Sequence, residues 1–289
     1  MHVSLSRRRP SPTSWAGTIL SAVLGASLLL LLFLPLYSLF TFAPWSTLVS
    51  EGSDAGVQTA IGFTLYASGI AVGLTLVLGV PLGYLLARRN FPGKSIVEAA
   101  VTLPLAVPHL IVGLALLFLL APGTPLGSLA DRLGVPVFGT IWGVVLVMVY
   151  VSDPYTVFAS QIAFRAVDER LLEASRCLGA TPSQSFATVT VPLAARGIVS
   201  GGLLSWARSV SEIGGFLILA YSVRPSPPYY GPETSPISVY IYNLYQIGTL
   251  PGAAAVSSLF LLIAFAIFLA VRLAERAGRL PALPGGFFP

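Results

Sequence analysis

Charge is scarce in this 289-residue chain: Asp, Glu, Lys and Arg together supply 9% of it, against 55% apolar residues and a mean hydropathy of +0.84. Soluble domains carry about a quarter charged residues, so a water-soluble globule is excluded. Cysteine is nearly absent too. Cys177 alone cannot form an internal disulfide, and it leaves the redox compartment open. Histidine is limited to His2 and His109, too few to build a His/Cys metal cluster with that thiol. The same shortage argues against an intramembrane hydrolase, which needs a nucleophile held beside a base. The formal net charge of +5 invites a nucleic-acid partner. The cations form no patch, however; they stand at the ends of apolar segments.

Uninterrupted apolar sequence is what the chain has in plenty. Ser11 to Ser50 contains no charge at all, and apolar runs longer than about 18 residues read as membrane spans. Six such segments follow one another: Ala16–Ala43, Thr59–Ala87, Ile96–Leu120, Phe138–Phe164, Gly197–Tyr221 and Ala253–Val271. At 1.5 Å per residue each can cross a hydrocarbon core of about 30 Å. The expected fold class is therefore an all-α membrane protein of six transmembrane helices. Arg7, Arg8 and Arg9 before an apolar run resemble a signal peptide, but the run is too long for a signal core of about 7–15 residues. A retained first helix over 16–43 is expected, after an N-terminal arm over 1–15.

Cations decide the orientation. With the N-terminus inside, the inner segments hold Arg7, Arg8 and Arg9; Arg88, Arg89 and Lys94; Arg165, Arg170, Arg176 and Arg196; and Arg272, Arg276 and Arg279. That is thirteen, against Arg132 and Arg224 outside, with Arg208 inside span 5. Both termini are expected in the cytoplasm, with a tail over 276–289.

Two connections are too long for turns. The outer one, Ser222–Gly252, is rich in Pro, Tyr and Gly, so it is expected as a loop or cap at the outer surface, with a disordered spacer as the alternative. The inner one, Arg165–Arg196, is polar and helix-compatible. Leu171, Leu172, Ala174, Cys177 and Leu178 make an apolar stripe, Gly179 suits a left-handed cap, and Thr181-Pro182 restarts a helix. Two short helices joined by a tight elbow are predicted, either a solvated connector or a piece that docks into a partner's groove.

This segment resembles the cytoplasmic signature of ABC importer permeases: Glu-Ala-Ala, three residues, Gly, nine residues, an aliphatic, one residue, Leu-Pro. Here it stands as Glu173-Ala174-Ser175, Gly179, Val189 and Val191-Pro192. Span 3, with Leu103-Pro104-Leu105-Ala106-Val107-Pro108-His109, and span 5, with Ser211-Glu212-Ile213-Gly214-Gly215, look like the molybdate/tungstate branch. That branch usually has Ser-Glu-Phe-Gly-Ala in span 5, so Ile213 and Gly215 depart from it, and sulfate relatives carry similar motifs. The resemblance implies a type I ABC importer permease fold over 57–275, with a coupling loop over 165–196. It implies a homodimer, two separate ATPase subunits that bind ATP and Mg, and an external binding protein delivering an oxyanion. Docking to the ATPase would fall to Glu173, Ala174, Ser175, Leu178, Gly179, Ala180, Thr181, Pro182, Phe186 and Pro192. This chain itself would hold no cofactor and do no catalysis. Pro92-Gly93-Lys94-Ser95 is no phosphate loop, because the pattern's first glycine would fall at Arg88.

Charges inside a membrane are costly and mark candidate function. Arg208 and Glu212, four apart, can pair on one helix face; they are either an internal ion pair or part of a gate. Counting from Gly197 places Arg208 near mid-depth, about 17 Å along. Pro104 and Pro108 should break span 3, and Gly214-Gly215 loosen span 5, as helices lining transport paths are often broken. His109 and Ser211 join these as candidate path residues. Asp153-Pro154 is expected as a kink in span 4, with Asp153 capping the restart. A gradient-driven secondary transporter is the rival class, but such folds often carry internal repeats and none is evident.

Overall fold

The computed structural model describes residues 12–276; the expected arm through residue 11 and tail beyond 276 lie outside the described residues. In chain order the helices are α1 (Pro12–Phe42), α2 (Trp45–Ser53), α3 (Ala55–Arg88), α4 (Lys94–Ala106), α5 (His109–Leu120), α6 (Pro125–Arg132) and α7 (Ile141–Arg165). There follow α8 (Glu169–Cys177), α9 (Pro182–Ser185), a π-helical turn (Phe186–Thr190), α10 (Val191–Val210), α11 (Gly214–Leu219), α12 (Ile237–Gln246) and α13 (Leu250–Arg276). Among the described residues five helices are long and apolar enough to span a membrane, or six if α4 and α5 together count as one.

The trio α3, α7 and α10 forms the centre, with α3 and α7 parallel and α10 antiparallel to both. Small residues let the backbones approach, as helix packing in lipid requires. A Cβ on Gly83 would stand 2.8 Å from Ser160 Cβ and from the Val157 carbonyl oxygen, and one on Gly197 would stand 2.4 Å from Ala163 Cβ. Hydroxyls close the seam: Thr75 Oγ1 lies 3.3 Å from Ser205 Oγ, and Ser205 Oγ donates to the Ser152 carbonyl at 3.0 Å. By contrast α1 is apolar all round and exposed along nearly its whole length, as a lipid-facing helix can be. It touches the rest near its end, where Leu39 and Ala43 pack on Ala254 and Ala255 of α13.

The expected break in span 3 falls at Pro108 alone, and two expectations need correction: the course of span 5 and the capping by Asp153. Span 3 is two helices, α4 and α5, bent by 113°; Val107 is extended because a residue before proline is driven out of the α region. Span 5 does not run Gly197–Tyr221. The helix starts at Pro182, ends at Val210, and gives way through Ser211–Ile213 to the separate six-residue α11. Arg208 therefore sits in the last turn of α10. Asp153 caps nothing: α7 continues through Pro154, and Asp153 Oδ1 is buried with no hydrogen-bond partner. The outer connection also carries a helix, α12, that its prolines had hidden. Its Pro/Tyr part is an ordered hairpin-like cap, pinned by Val223 pairing with Thr234 and by Tyr229 packing edge-on against Phe63 at 4.9 Å.

Candidate functional site

Two sites lie at opposite ends of the same helical rod. The first is the elbow. Asp168 opens α8 by accepting from the Arg170 N–H at 2.9 Å. Gly179, at φ +90°, closes it: Gly179 N–H bonds the Arg176 carbonyl and Ala180 N–H the Ser175 carbonyl, a Schellman ending that favours glycine at that φ. Thr181 and Gln184 then form a reciprocal capping box at 3.3 and 2.8 Å, with Pro182 in the first helical position. Ser175 Oγ donates to the buried Ser185 Oγ at 2.7 Å and locks the two arms together. On the outer surface Glu173, Ala174 and Thr181 are exposed, Phe186 is partly so, and Leu178 is 90% exposed.

Pro192 follows directly on the π turn. Val191 N–H reaches back five residues to the Phe186 carbonyl, and the next residue has no N–H to offer. The rod from Pro182 to Val210 thus stays continuous past a proline.

At the far end of the rod lies an ion node. Glu212 is fully buried; its Oε2 accepts from Arg208 Nη2 at 3.0 Å and from His109 Nδ1 at 2.9 Å, and its Oε1 from the Gly215 N–H at 2.9 Å. Arg208 Nη2 also lies 2.6 Å from His109 Nε2. It lies 2.9 Å from His109 Nδ1 as well, so guanidinium, ring and carboxylate meet at one point. Arg208 Nη1 turns outward to Ser211 Oγ at 3.3 Å, and Ser211 is exposed. The arginine also faces the negative end of α10, which it closes.

Glycines bring the walls together. A Cβ on Gly214 would meet His109 Cβ at 2.8 Å, and one on Gly215 would meet Val147 at 2.5 Å. Val147 is the seventh residue of α7, so the node lies about 9 Å along α7 from its first residue.

Of the candidate path residues, His109, Arg208, Ser211, Glu212, Gly214 and Gly215 meet here. Pro108 supplies the turn that delivers His109, while Pro104 remains inside α4. Two members escaped sequence inspection. Gly113 lets α5 lie on α11, its Cβ position 2.8 Å from the Gly215 carbonyl oxygen, and Ser238 Oγ of α12 donates to the Glu212 carbonyl at 2.5 Å. Gly113 was visible within Val112-Gly113-Leu114; Ser238 gave no signal.

A multi-pass bundle with an amphipathic elbow at one end and a broken, ion-paired path at the other defines a transporter's membrane-spanning component. The chain belongs to the family described as binding-protein-dependent transport system inner membrane component, whose model matches residues 79–279. It is 37% identical over 204 residues to the molybdate/tungstate transport system permease protein WtpB of Thermococcus kodakarensis, covering 70% of this chain and 77% of that protein. With its Pyrococcus furiosus counterpart it shares 32% over 261 residues, 89% of this chain and 95% of that one. A probable sulfate transport system permease protein cysT of Zygnema circumcarinatum is 29% identical over 246 residues, covering 84% and 83%. In fold the chain resembles a chain of the bacterial alginate ABC transporter, crystallised with an alginate pentasaccharide-bound periplasmic protein (TM-score 0.70, 19% identity, 91% of this chain and 96% of that one). It also resembles a chain of the MetNI methionine ABC transporter in an inward-facing form (TM-score 0.58, 19% identity, 77% and 95%).

Proposed function

We propose that this chain is the permease subunit of an ATP-driven importer of a tetrahedral oxyanion, tungstate or molybdate, handed over by an external binding protein. The observation that carries the substrate class is the identity of 32–37% to molybdate/tungstate permeases over most of the chain. The node supports it chemically. Arg208 Nη1 faces the exposed side, where it donates to Ser211 Oγ, while Glu212 neutralises the cation from within. A guanidinium with little net field would bind an anion weakly enough to release it, which conduction requires.

The elbow over 165–196 is the docking piece for a separate ATPase that binds ATP and Mg. Two permease copies would make the pathway, with both termini and the elbow in the cytoplasm, as the cation distribution requires. Glu173, Gly179 and Leu178 stand on the docking surface, and Thr181, Pro182 and Pro192 fix its geometry. Sulfate is the second substrate, favoured by the 29% identity to a sulfate permease. Uptake of labelled tungstate, molybdate and sulfate by the reconstituted transporter separates them. Saturable uptake of tungstate or molybdate that excess sulfate does not compete is expected; uptake of sulfate alone refutes the assignment. In parallel, Glu173→Ala and Gly179→Val should abolish co-purification of the ATPase while the spans still insert. Retention of the ATPase by both variants would refute docking at the elbow.

A further inference from the structure

Two side chains near the end of α3 grip both arms of the elbow. Tyr84 and Arg88 stand four residues apart, on one helix face. Arg88 is 13% exposed although it ends its helix; its Nη2 donates to the Val167 carbonyl at 2.7 Å and its Nη1 to Glu169 Oε1 at 3.2 Å. That holds the entry to α8. One turn earlier the Tyr84 ring packs edge-on against Phe164, at the end of α7, and Phe186, in the π turn that leaves the elbow, with centroids 5.1 and 5.0 Å apart. Glu169 is 77% exposed, so its ion pair alone would fix little. The main-chain acceptor and the paired ring contacts supply the rigidity.

We infer that Tyr84 and Arg88 are positioning residues that make α3 move with the elbow, so that a push on the elbow displaces α3, α7 and α10 as one body. The inference rests on the elbow's docking to an ATPase. α7 and α10 are joined to the elbow by the chain itself; α3 lies against them along the seam of small residues, and this clamp ties its end to both arms of the elbow. Cutting it should therefore leave ATP hydrolysis running while the membrane segments follow less faithfully.

The test is tungstate uptake and phosphate release, measured together on the complete transporter in proteoliposomes. Tyr84→Ala and Arg88→Ala should still co-purify with the ATPase and still release phosphate, but move about fivefold less tungstate per ATP. Tyr84→Phe should restore the wild-type ratio, because the ring contacts need no hydroxyl, whereas Arg88→Lys should restore it only partly. A general loss of folding would lower both activities and leave the ratio alone. An unchanged ratio in both alanine variants overturns the proposal.

A second measurement avoids altering the clamp. Spin labels on native Cys177 and on Asn90→Cys, both at exposed positions, report the distance from α8 to the end of α3. It should be the same in nucleotide-free and ATP-trapped transporter; a distance that changes on trapping overturns the proposal. Failure of the wild-type chain to retain any ATPase would sink both the docking and the clamp, and is seen before any clamp variant is compared.

Discussion

Replacing Glu212 by leucine removes three partners at once: the Arg208 guanidinium, the His109 ring and the Gly215 N–H. Arg208 is 16% exposed at its side chain and would keep its charge with no counter-ion. Removing one member of a buried pair costs about 3–5 kcal/mol, because an uncompensated charge is left behind. Replacing both, Arg208→Met with Glu212→Leu, removes that charge too and is expected to recover most of the loss, leaving about 1–2 kcal/mol for the unpaired Gly215 N–H. Thermal unfolding of the two single variants and the double variant in detergent gives the coupling energy, expected at about 4 kcal/mol or more because the double variant loses far less than the two singles combined. Tungstate uptake by the double variant then separates the two roles of the pair. A stable double variant that no longer transports assigns Arg208 to the path; a stable one that transports normally reduces the pair to a fastening between α10 and α11. Additive losses, with the double variant as unstable as the two singles combined, would refute the account of why Glu212 is buried.

Gly83→Ala sets a methyl 2.8 Å from Ser160 Cβ and the Val157 carbonyl, so α3 must back away from α7. A loss of about 1–3 kcal/mol is expected in the same unfolding assay. Gly179→Ala, at φ +90° with open space around it, and Thr181→Ala, which loses the capping box, should each cost about 1 kcal/mol locally. Faster amide exchange over 175–186, with unchanged exchange in α7, checks this. Burial, and then the neighbouring Asp54 carboxylate, hold Glu51 of α2 above its ordinary 4.5. A raised carboxyl contributes stability below pH 4.5 that is lost as pH rises through the folded value, so Glu51→Gln should raise the unfolding midpoint at neutral pH and converge with wild type in acid.

Local chemistry explains which parts could be seen in advance. The elbow was visible because each joint is made by residues next to each other: Gly179 for the left-handed turn, Thr181-Pro182 for the restart. The Arg208–Glu212 pair followed from helical spacing alone. The break at Pro108 followed from proline chemistry, but the end of α10 at Val210 did not, since an apolar run reads the same whether the helix carries on or stops. Ile213 to Tyr221 is as hydrophobic around a short separate α11 as in a span. Helix α12 was hidden behind the prolines that precede it. Tyr84 and Arg88 were invisible as a clamp because their partners lie 79–102 positions away; Arg88 registered only as an inner-side charge.

The elbow and the node are linked by one piece of secondary structure. From Pro182 to Val210 the helix runs unbroken for 29 residues, about 42 Å, with the capping box at its start and Arg208 in its last turn. The π turn is what allows this: a proline at 192 in a strictly α-helical stretch would clash with the preceding turn, and the wider turn keeps the rod whole. Between the two ends Gly197 and Gly201 hold the rod hard against Ala163 and Ala159 of α7. Contact that close resists sliding, so a force on the elbow would carry α10 together with α7. That motion would reach the end of the helix at Arg208. There the chain leaves the helical path through Ser211–Ile213, and Glu212 must hold α10, α5 and α11 at one point. If the ATPase docks at the elbow, the node is where motion of this rod would first alter an ion contact.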